Sequence, residues 1–464
     1  MTVNGSAADR PVADDSVIND PAVHDPALHD PALHDPAAHD PAELALAVVG
    51  QFEAGRFDEA EARFSPQLRA VAAADTVAGQ WRTQLGERHI LTRGPVSLHT
   101  RPDGLVTATV PVRTQAGGVD VLMSMDGDGI LHGLRFTAPA AAGWAPPGYA
   151  NPRRFEEHEV RVGGGATAVA GTVTSPRVGA RLRGRMTGGI PAVVLLPGGG
   201  PFDRDETAGP NKPLKDLAWG LATQGIAVLR FDKVTFAHLD EFAERGYTLA
   251  EEYVPHATAA VRALRALRIV DSRRVFVLGH SAGGKVAPRV AQAEPSIAGL
   301  IVLAGDTHPM HETAVRVARH VASLNPAPET EAALARLSEQ AARAADPGLD
   351  PATPAAELPF GLPAAYWLDL HDYDPIRTAV AVDKPMFIAQ GARDYQVTVD
   401  QDLALWRQGL DERPDVTCRV YPADDHLFFP GTEPATPASY QVAQHVDQAL
   451  IKDIAEWIRA QHLR

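Results

Sequence analysis

Apolar residues follow different rules in different parts of the chain. In AELALAVVGQFEAGRFDEAEARF, from residue 42, Leu44, Val48, Phe52 and Phe57 recur near helical spacing and predict helix. SLHTRPDGLVTATVPVRT and GGVDVLMSMDGDGILHGLRFTAP then read as strands. Their turns, RPDGL and DGDGI, hold glycines suited to positive φ. Helix followed by antiparallel strands predicts a small α+β domain over 42–140. An Ala-, Gly- and Pro-rich linker follows over 141–155.

From 156 to 464 the pattern changes. EEHEVRVG and ATAVAGTVTS predict two strands, and then apolar runs of four to six residues alternate with amphipathic helices. The runs are AVVLLPG, IAVLRFD, RVFVLGH, AGLIVLAG, PMFIAQG and VTCRVYP. Helices are expected at Pro213–Gln224, Leu249–Leu267, Lys285–Glu294 and Val399–Leu410. Nearly continuous apolar strands alternating with helices imply a mostly parallel sheet covered on both faces, an α/β architecture. About seventy residues interrupt the alternation between LIVLAGDTHP and KPMFIAQG, too many for a plain crossover. With helical patterns in HETAVRVARHVASL and ETEAALARLSEQAARAA, this stretch is expected to be a helical lid over about 306–375. Phe360, Tyr366 and Trp367 lie near its end. They are candidates for lining an acyl pocket, against the plainer role of holding the lid to the body.

Residues 1–41 differ from both regions. HDPALHDPALHDPAAHDPA repeats every five residues, is proline-rich and has little apolar content, so a disordered low-complexity arm is expected. His24, His29, His34 and His39 could ligate a metal, but a repeat without fixed geometry reads more simply as sequence expansion.

Composition narrows the function. With 45% apolar residues the chain is globular, and its formal charge of −15 disfavours binding to nucleic acid or anionic lipid. One cysteine, Cys418, excludes an internal disulfide and a cysteine-based metal cage. With no signal-peptide pattern at the start and no membrane-length apolar run, a cytoplasmic location is expected.

The chemistry centres on VFVLGHSAGG, Val275–Gly284. A strand ending in G-x-S-x-G and passing straight into a helix is the nucleophile elbow. Its turn demands small neighbours, here Gly279, Ala282 and Gly283, and leaves Ser281 at a helix N-terminus where negative charge is favoured. A serine needs a base, and the base an orienting acid, in the order Ser, acid, His. Asp394 lies just past PMFIAQG, and His426 just past the last strand. Asp374, Asp424 and Asp425 compete with Asp394. Asp425 adjoins the histidine ring it would have to face, and the Asp-Pro at 374 reads as a turn. The oxyanion donors are expected from the amide of Ala282 and from LLPGGGPFDRDET, with Gly199 and Gly200 as the candidates there. GGG without a following Lys-Ser/Thr is a weak phosphate-loop signal.

At these residues the sequence resembles the bacterial α/β-hydrolases of the dienelactone-hydrolase-like and serine-aminopeptidase-like branch, close to its small esterases. The likeness covers about 150–464 through PGGGPFDRDETAGPNKPLKDLAWGLATQGIAVLRFDK, GHSAGGKVAPR, YWLDLHDYDP, QGARDYQV and DDHLFFPG. The preceding segment resembles the nuclear-transport-factor-like or cystatin-like domain that some members carry. The resemblance implies an α/β-hydrolase fold with Ser281 as nucleophile, Asp394 as acid and His426 as base. Two positions depart from the family pattern. Pro197-Gly198-Gly199 stands for its His-Gly-Ser, and His256 stands where members usually have Asp. The expected activity is hydrolysis of a small-molecule carboxylic ester, thioester or lactone without cofactor or metal. Acyl transfer or cyclisation, a peptidase, and a catalytically dead binding protein are the alternatives. Homodimer formation is left open.

Overall fold

The apolar runs assemble into two separate sheets. In the computed structural model, residues 40–85, 90–94, 96–100, 104–114, 117–137, 144–177, 189–238, 246–324 and 326–461 are described. The repeat arm, up to residue 39, lies outside the described residues, as does part of the expected linker.

The first sheet has the order β1 (Ile90–Arg93), β3 (Val106–Thr114), β4 (Gly117–Met125), β5 (Leu131–Thr137), with β2 (Ser97–Thr100) also on β3, and its pairs are antiparallel. The helix Pro41–Glu53 starts at Asp40, whose side chain accepts the Ala42 N–H. The long helix expected from residue 42 breaks at Gly55 (φ 71°) and resumes at Phe57–Glu61. Helices Pro66–Val71 and Ala74–Leu85, and strand β1, carried no sequence expectation. This unit has its own core, including Val48, Phe52, Trp81, Val110 and Met123.

The second sheet runs β13 (Val416–Tyr421), β12 (Met386–Gly391), β11 (Leu300–Leu303), β10 (Val270–His280), β8 (Ile190–Leu196), β9 (Ala227–Phe231), β7 (Val169–Pro176), β6 (Phe155–Val162). β8 to β13 are parallel, while β7 pairs antiparallel with both β9 and β6. The central strands are apolar on both faces. Ala192, Val194, Val275, Val277, Leu300 and Val302 enter one core, and Val193, Leu195, Phe276, Leu278 and Ile301 enter the other. Helices Leu249–Ala266, Ala282–Ala293 and Ala404–Leu410 cover the first face, and Pro213–Thr223 and Gln448–Ala460 cover the second. From β8 the chain adds β9 on one side, then returns to place β10 on the other. The loops after β8 and β10 therefore diverge from adjacent strand ends, where open α/β sheets form their ligand crevice.

The insertion between β11 and β12 folds as Met310–Leu324, Pro328–Ala344, Ala364–His371 and Pro375–Val382. It joins the body through Arg289, which forms a two-pronged pair with Asp369 (2.8 and 2.7 Å), and through the Tyr373 hydroxyl, which donates to Lys285 O (2.6 Å). No helix among the described residues is long and apolar enough to cross a membrane.

Candidate active site

Ser281 occupies the single-residue junction between β10 and the helix Ala282–Ala293, with φ 53° and ψ −120°. A non-glycine residue seldom adopts this conformation, and the surrounding fold must hold it there. The Ser281 N–H donates to Leu303 O (2.8 Å) on the neighbouring strand. The flanking glycines are explained by backbone proximity. A Cβ at Gly279 would lie 2.1 Å from Gly283 O, and one at Gly283 would lie 2.6 Å from both Leu196 O and Pro197 O. Ser281 and Ala282 are partly open to solvent, although Gly279, His280 and Gly283 around them are buried.

Two loops from distant parts of the sequence meet this turn. After β12, Asp394 accepts N–H groups from Gln396 (2.7 Å) and Val397 (3.0 Å) on one oxygen. Its other oxygen accepts from Gln390 Nε2 (2.9 Å) and pairs with His426 Nδ1 (2.7 Å). After β13, Asp425 accepts the N–H groups of Leu427 and Phe429, shaping the turn that carries His426. Asp374 caps the helix Pro375–Val382 by accepting from Ile376 N and Arg377 N. Asp394 alone of the sequence candidates hydrogen-bonds to the His426 ring. Asp424 is fully buried with neither carboxylate oxygen hydrogen-bonded, and burial together with Asp447 pushes its pKa up to about 8.

His280 does more than precede the serine. Its ring lies 4.8 Å, centre to centre, from that of His426. Nε2 bonds to His426 O (2.8 Å), and Nδ1 bonds to Glu206 Oε1 (2.8 Å). Both partners are acceptors, so both ring nitrogens must carry hydrogen, which makes His280 an imidazolium. Burial pulls its pKa down, but the charge and hydrogen bond of Glu206 and the His426 carbonyl outweigh this, and the net shift is upward. Glu206 Oε1 also accepts the Gly198 N–H (2.8 Å). One carboxylate oxygen thus ties the loop after β8 to the residue before Ser281.

That loop is held from behind as well. Gly198 O accepts from Lys233 Nζ (3.0 Å) and the Tyr253 hydroxyl (2.7 Å). Lys233 pairs with Glu252 (3.0 Å), whose Oε1 also takes the Thr235 hydroxyl (2.7 Å) and whose Oε2 takes the Tyr366 hydroxyl (3.2 Å). Gly199 and Gly200 are exposed, and a Cβ at Gly199 would sit 3.6 Å from Ala282 Cβ. The two expected oxyanion segments therefore face each other. Because its N–H is committed to Glu206, Gly198 is not an available donor.

Of the two roles weighed for the aromatics, Tyr366 and Trp367 take the plainer one of packing, and neither lines the cavity beside the insertion. Tyr366 is buried against Tyr247 with its hydroxyl on Glu252, and Trp367 is buried in the insertion's own core with Ala344, Leu349, Leu358 and Ala364. Both hold the insertion together and onto the body, while Phe360 is 61% exposed. Volume and shape favour the packed role, since large rings stabilise most where they are wholly enclosed. That cavity, of about 910 Å³, lies under the insertion beside Lys285, Thr307, His308, Met310 and Tyr373. His256, the other departure, bonds to Thr167 O (2.8 Å), away from Ser281 on the turn after β6.

Glu206, Lys233, Tyr253 and Glu252 had no role in the sequence reading, although Glu206 and Lys233 stand in the stretch that carries the family likeness, PGGGPFDRDETAGPNKPLKDLAWGLATQGIAVLRFDK. No group of three or more potential metal ligands occurs among the described residues.

The profile of the alpha/beta hydrolase family matches residues 193–437. Esterase EstD of Thermotoga maritima is 34% identical over 342 residues, covering 74% of this chain and 77% of that protein. Among solved structures, the Pyrococcus furiosus esterase Pf2001 is 17% identical with a TM-score of 0.42, covering 69% of this chain and 98% of its own. The Pyrococcus horikoshii acylaminoacyl peptidase is 14% identical with a TM-score of 0.44, covering 81% of this chain and 57% of its own.

Proposed function

Since the chain belongs to the alpha/beta hydrolase family, we propose that it hydrolyses carboxylic esters through an acyl-enzyme on Ser281. The kinship to a protein named an esterase supports the reaction class. The observations that carry the residue assignment are the strained backbone of Ser281 and the bonds of His426, whose carbonyl is bonded by His280 next to that serine (2.8 Å) and whose Nδ1 is held by the buried Asp394 carboxylate (2.7 Å).

In this reading, Ser281 Oγ attacks the acyl carbonyl while His426 Nε2 takes its proton. Asp394 accepts from Nδ1, which fixes the tautomer and stabilises the imidazolium as it forms. The carbonyl oxygen becomes an oxyanion held by the N–H groups of Ala282 and Gly199, with Gly200 on the same lip, at the positive end of the helix Ala282–Ala293. Collapse of the tetrahedral intermediate expels the alcohol, which receives the proton from His426. Water then repeats the sequence on the acyl-enzyme, releasing the acid and restoring Ser281.

The test is Ser281→Ala, assayed with p-nitrophenyl esters of graded chain length and with lactones. Loss of turnover and of fluorophosphonate labelling, with the circular dichroism spectrum retained, is the expected outcome. Persistent turnover refutes the assignment. A wild-type protein that is folded but takes no label is a binding protein, and a transferred ester or lactone in place of free acid means that another acceptor replaces water.

A further inference from the structure

Lys233 lies two residues past the end of β9 and is 1% exposed. An ammonium in such a place is costly unless every N–H is used. All three are used, on Glu252 Oε1 (3.0 Å), the Tyr253 hydroxyl (2.9 Å) and Gly198 O (3.0 Å). Having accepted from Lys233, the Tyr253 hydroxyl donates to Gly198 O (2.7 Å), with Pro197 O as a second acceptor at 3.1 Å. Two donors, one of them charged, therefore converge on one loop carbonyl. Buried ion pairs contribute little to stability compared with an apolar side chain of the same volume, so stability alone gives no reason for a lysine here.

The carbonyl is the important partner. Gly198 O and the Gly199 N–H belong to one peptide unit, which is trans like every other peptide bond described. In a trans peptide the C=O and the N–H point in opposite directions. Fixing the carbonyl toward Lys233 and Tyr253 fixes the Gly199 N–H toward the opposite side; Gly199 itself borders the elbow, since a Cβ there would lie 3.6 Å from Ala282 Cβ. Burial pulls the Lys233 pKa down against the opposing pull of Glu252, but Nζ meets three acceptors, which only the ammonium can supply with three N–H groups, and its charge polarises the peptide in a low-dielectric setting. Glu206 orients the preceding peptide by accepting the Gly198 N–H. The loop carbonyl that takes both the Lys233 ammonium and the Tyr253 hydroxyl is thus the one that aims an expected oxyanion donor.

We propose that Lys233, with Tyr253, is a positioning residue for the oxyanion hole, acting through the Gly198–Gly199 peptide without touching substrate. This rests on the oxyanion role proposed above for Gly199.

The test uses the full chain with Lys233→Met and Tyr253→Phe, alongside Ser281→Ala. A positioning role predicts that kcat for a p-nitrophenyl ester falls about 10- to 100-fold in Lys233→Met, somewhat less than direct removal of an oxyanion donor. KM stays within about twofold, since the ground-state carbonyl gains little from that N–H. Inhibition by a trifluoromethyl ketone, which forms an anionic adduct with the serine, weakens by the same factor. Binding of the matching methyl ketone does not change. Tyr253→Phe shows the same pattern with a smaller loss. If Lys233→Met fails to fold by circular dichroism, Tyr253→Phe decides by the same criteria. A kcat within twofold of wild type overturns the proposal, as does a parallel change in KM and in both ketones. Turnover that survives Ser281→Ala refutes instead the ester-hydrolase reading on which the proposal stands.

Discussion

Replacing Glu206 by Gln tests whether the carboxylate holds a charged partner. In the wild type, Glu206 Oε1 accepts from Gly198 N (2.8 Å) and His280 Nδ1 (2.8 Å) in a fully buried setting. A glutamine oxygen can accept the same N–H groups, so geometry is nearly preserved and charge alone is removed. The His280 imidazolium then has no counterion, and breaking a buried pair in this way costs about 3–5 kcal/mol. The sign with pH follows from the upward shift of His280. Its folded pKa exceeds the unfolded value of about 6.5, so the pair contributes fully below about pH 6.5. The contribution is lost as pH rises through the raised folded value. Well above that value His280 is neutral in both proteins, and the variant should lack only a hydrogen bond's worth of stability, about 1 kcal/mol. Urea unfolding followed by tryptophan emission is suitable, because five of the six tryptophans lie in residues 144–457. The stability gap should be widest at pH 5.5 and narrow steadily toward pH 10. A gap that is constant, or that widens with pH, would show that His280 carries no proton held by Glu206.

Two further outcomes are expected. Asp394→Asn should lower kcat about 10³- to 10⁴-fold with the fold intact, in line with the loss when a triad aspartate elsewhere is so changed; Gln390, Gln396 and Val397 all present donors to a side chain that would now carry an NH₂ group. Asp424→Asn should stabilise the protein increasingly from about pH 4 to about pH 8 and level off beyond, because a carboxyl with a folded pKa of about 8 penalises folding once the unfolded chain ionises near pH 4. Equal urea midpoints for the wild type and the Asp424→Asn variant at pH 8 would contradict this.

Much of the second sheet was legible because its strands are buried on both faces. Continuous runs such as VFVL and AVVLL have few other folded states open to them. The elbow was readable because close backbone approach requires Gly279 and Gly283 in a short contiguous stretch. Asp394 and His426 were picked from their places after strands, without a local pattern, and the fold brings their side chains within hydrogen-bond distance (2.7 Å). Side-chain destinations across the fold were less accessible. Nothing near Glu206 in sequence indicates that its carboxylate reaches His280, 74 residues on. Tyr366 and Trp367 look like pocket aromatics in a linear stretch, and only the packing of the insertion shows them enclosed. The helix Gln448–Ala460, which closes the second core with Leu450, Ile454 and Ile458, lies beyond the last strand pattern and went unread.

Glu252 grips Lys233 and Thr235 with one oxygen and Tyr366 of the helical insertion with the other. A rigid carboxylate cannot rotate to follow one neighbour without leaving the other. The insertion and the lysine that holds the loop behind Ser281 thus lean on a single carboxylate.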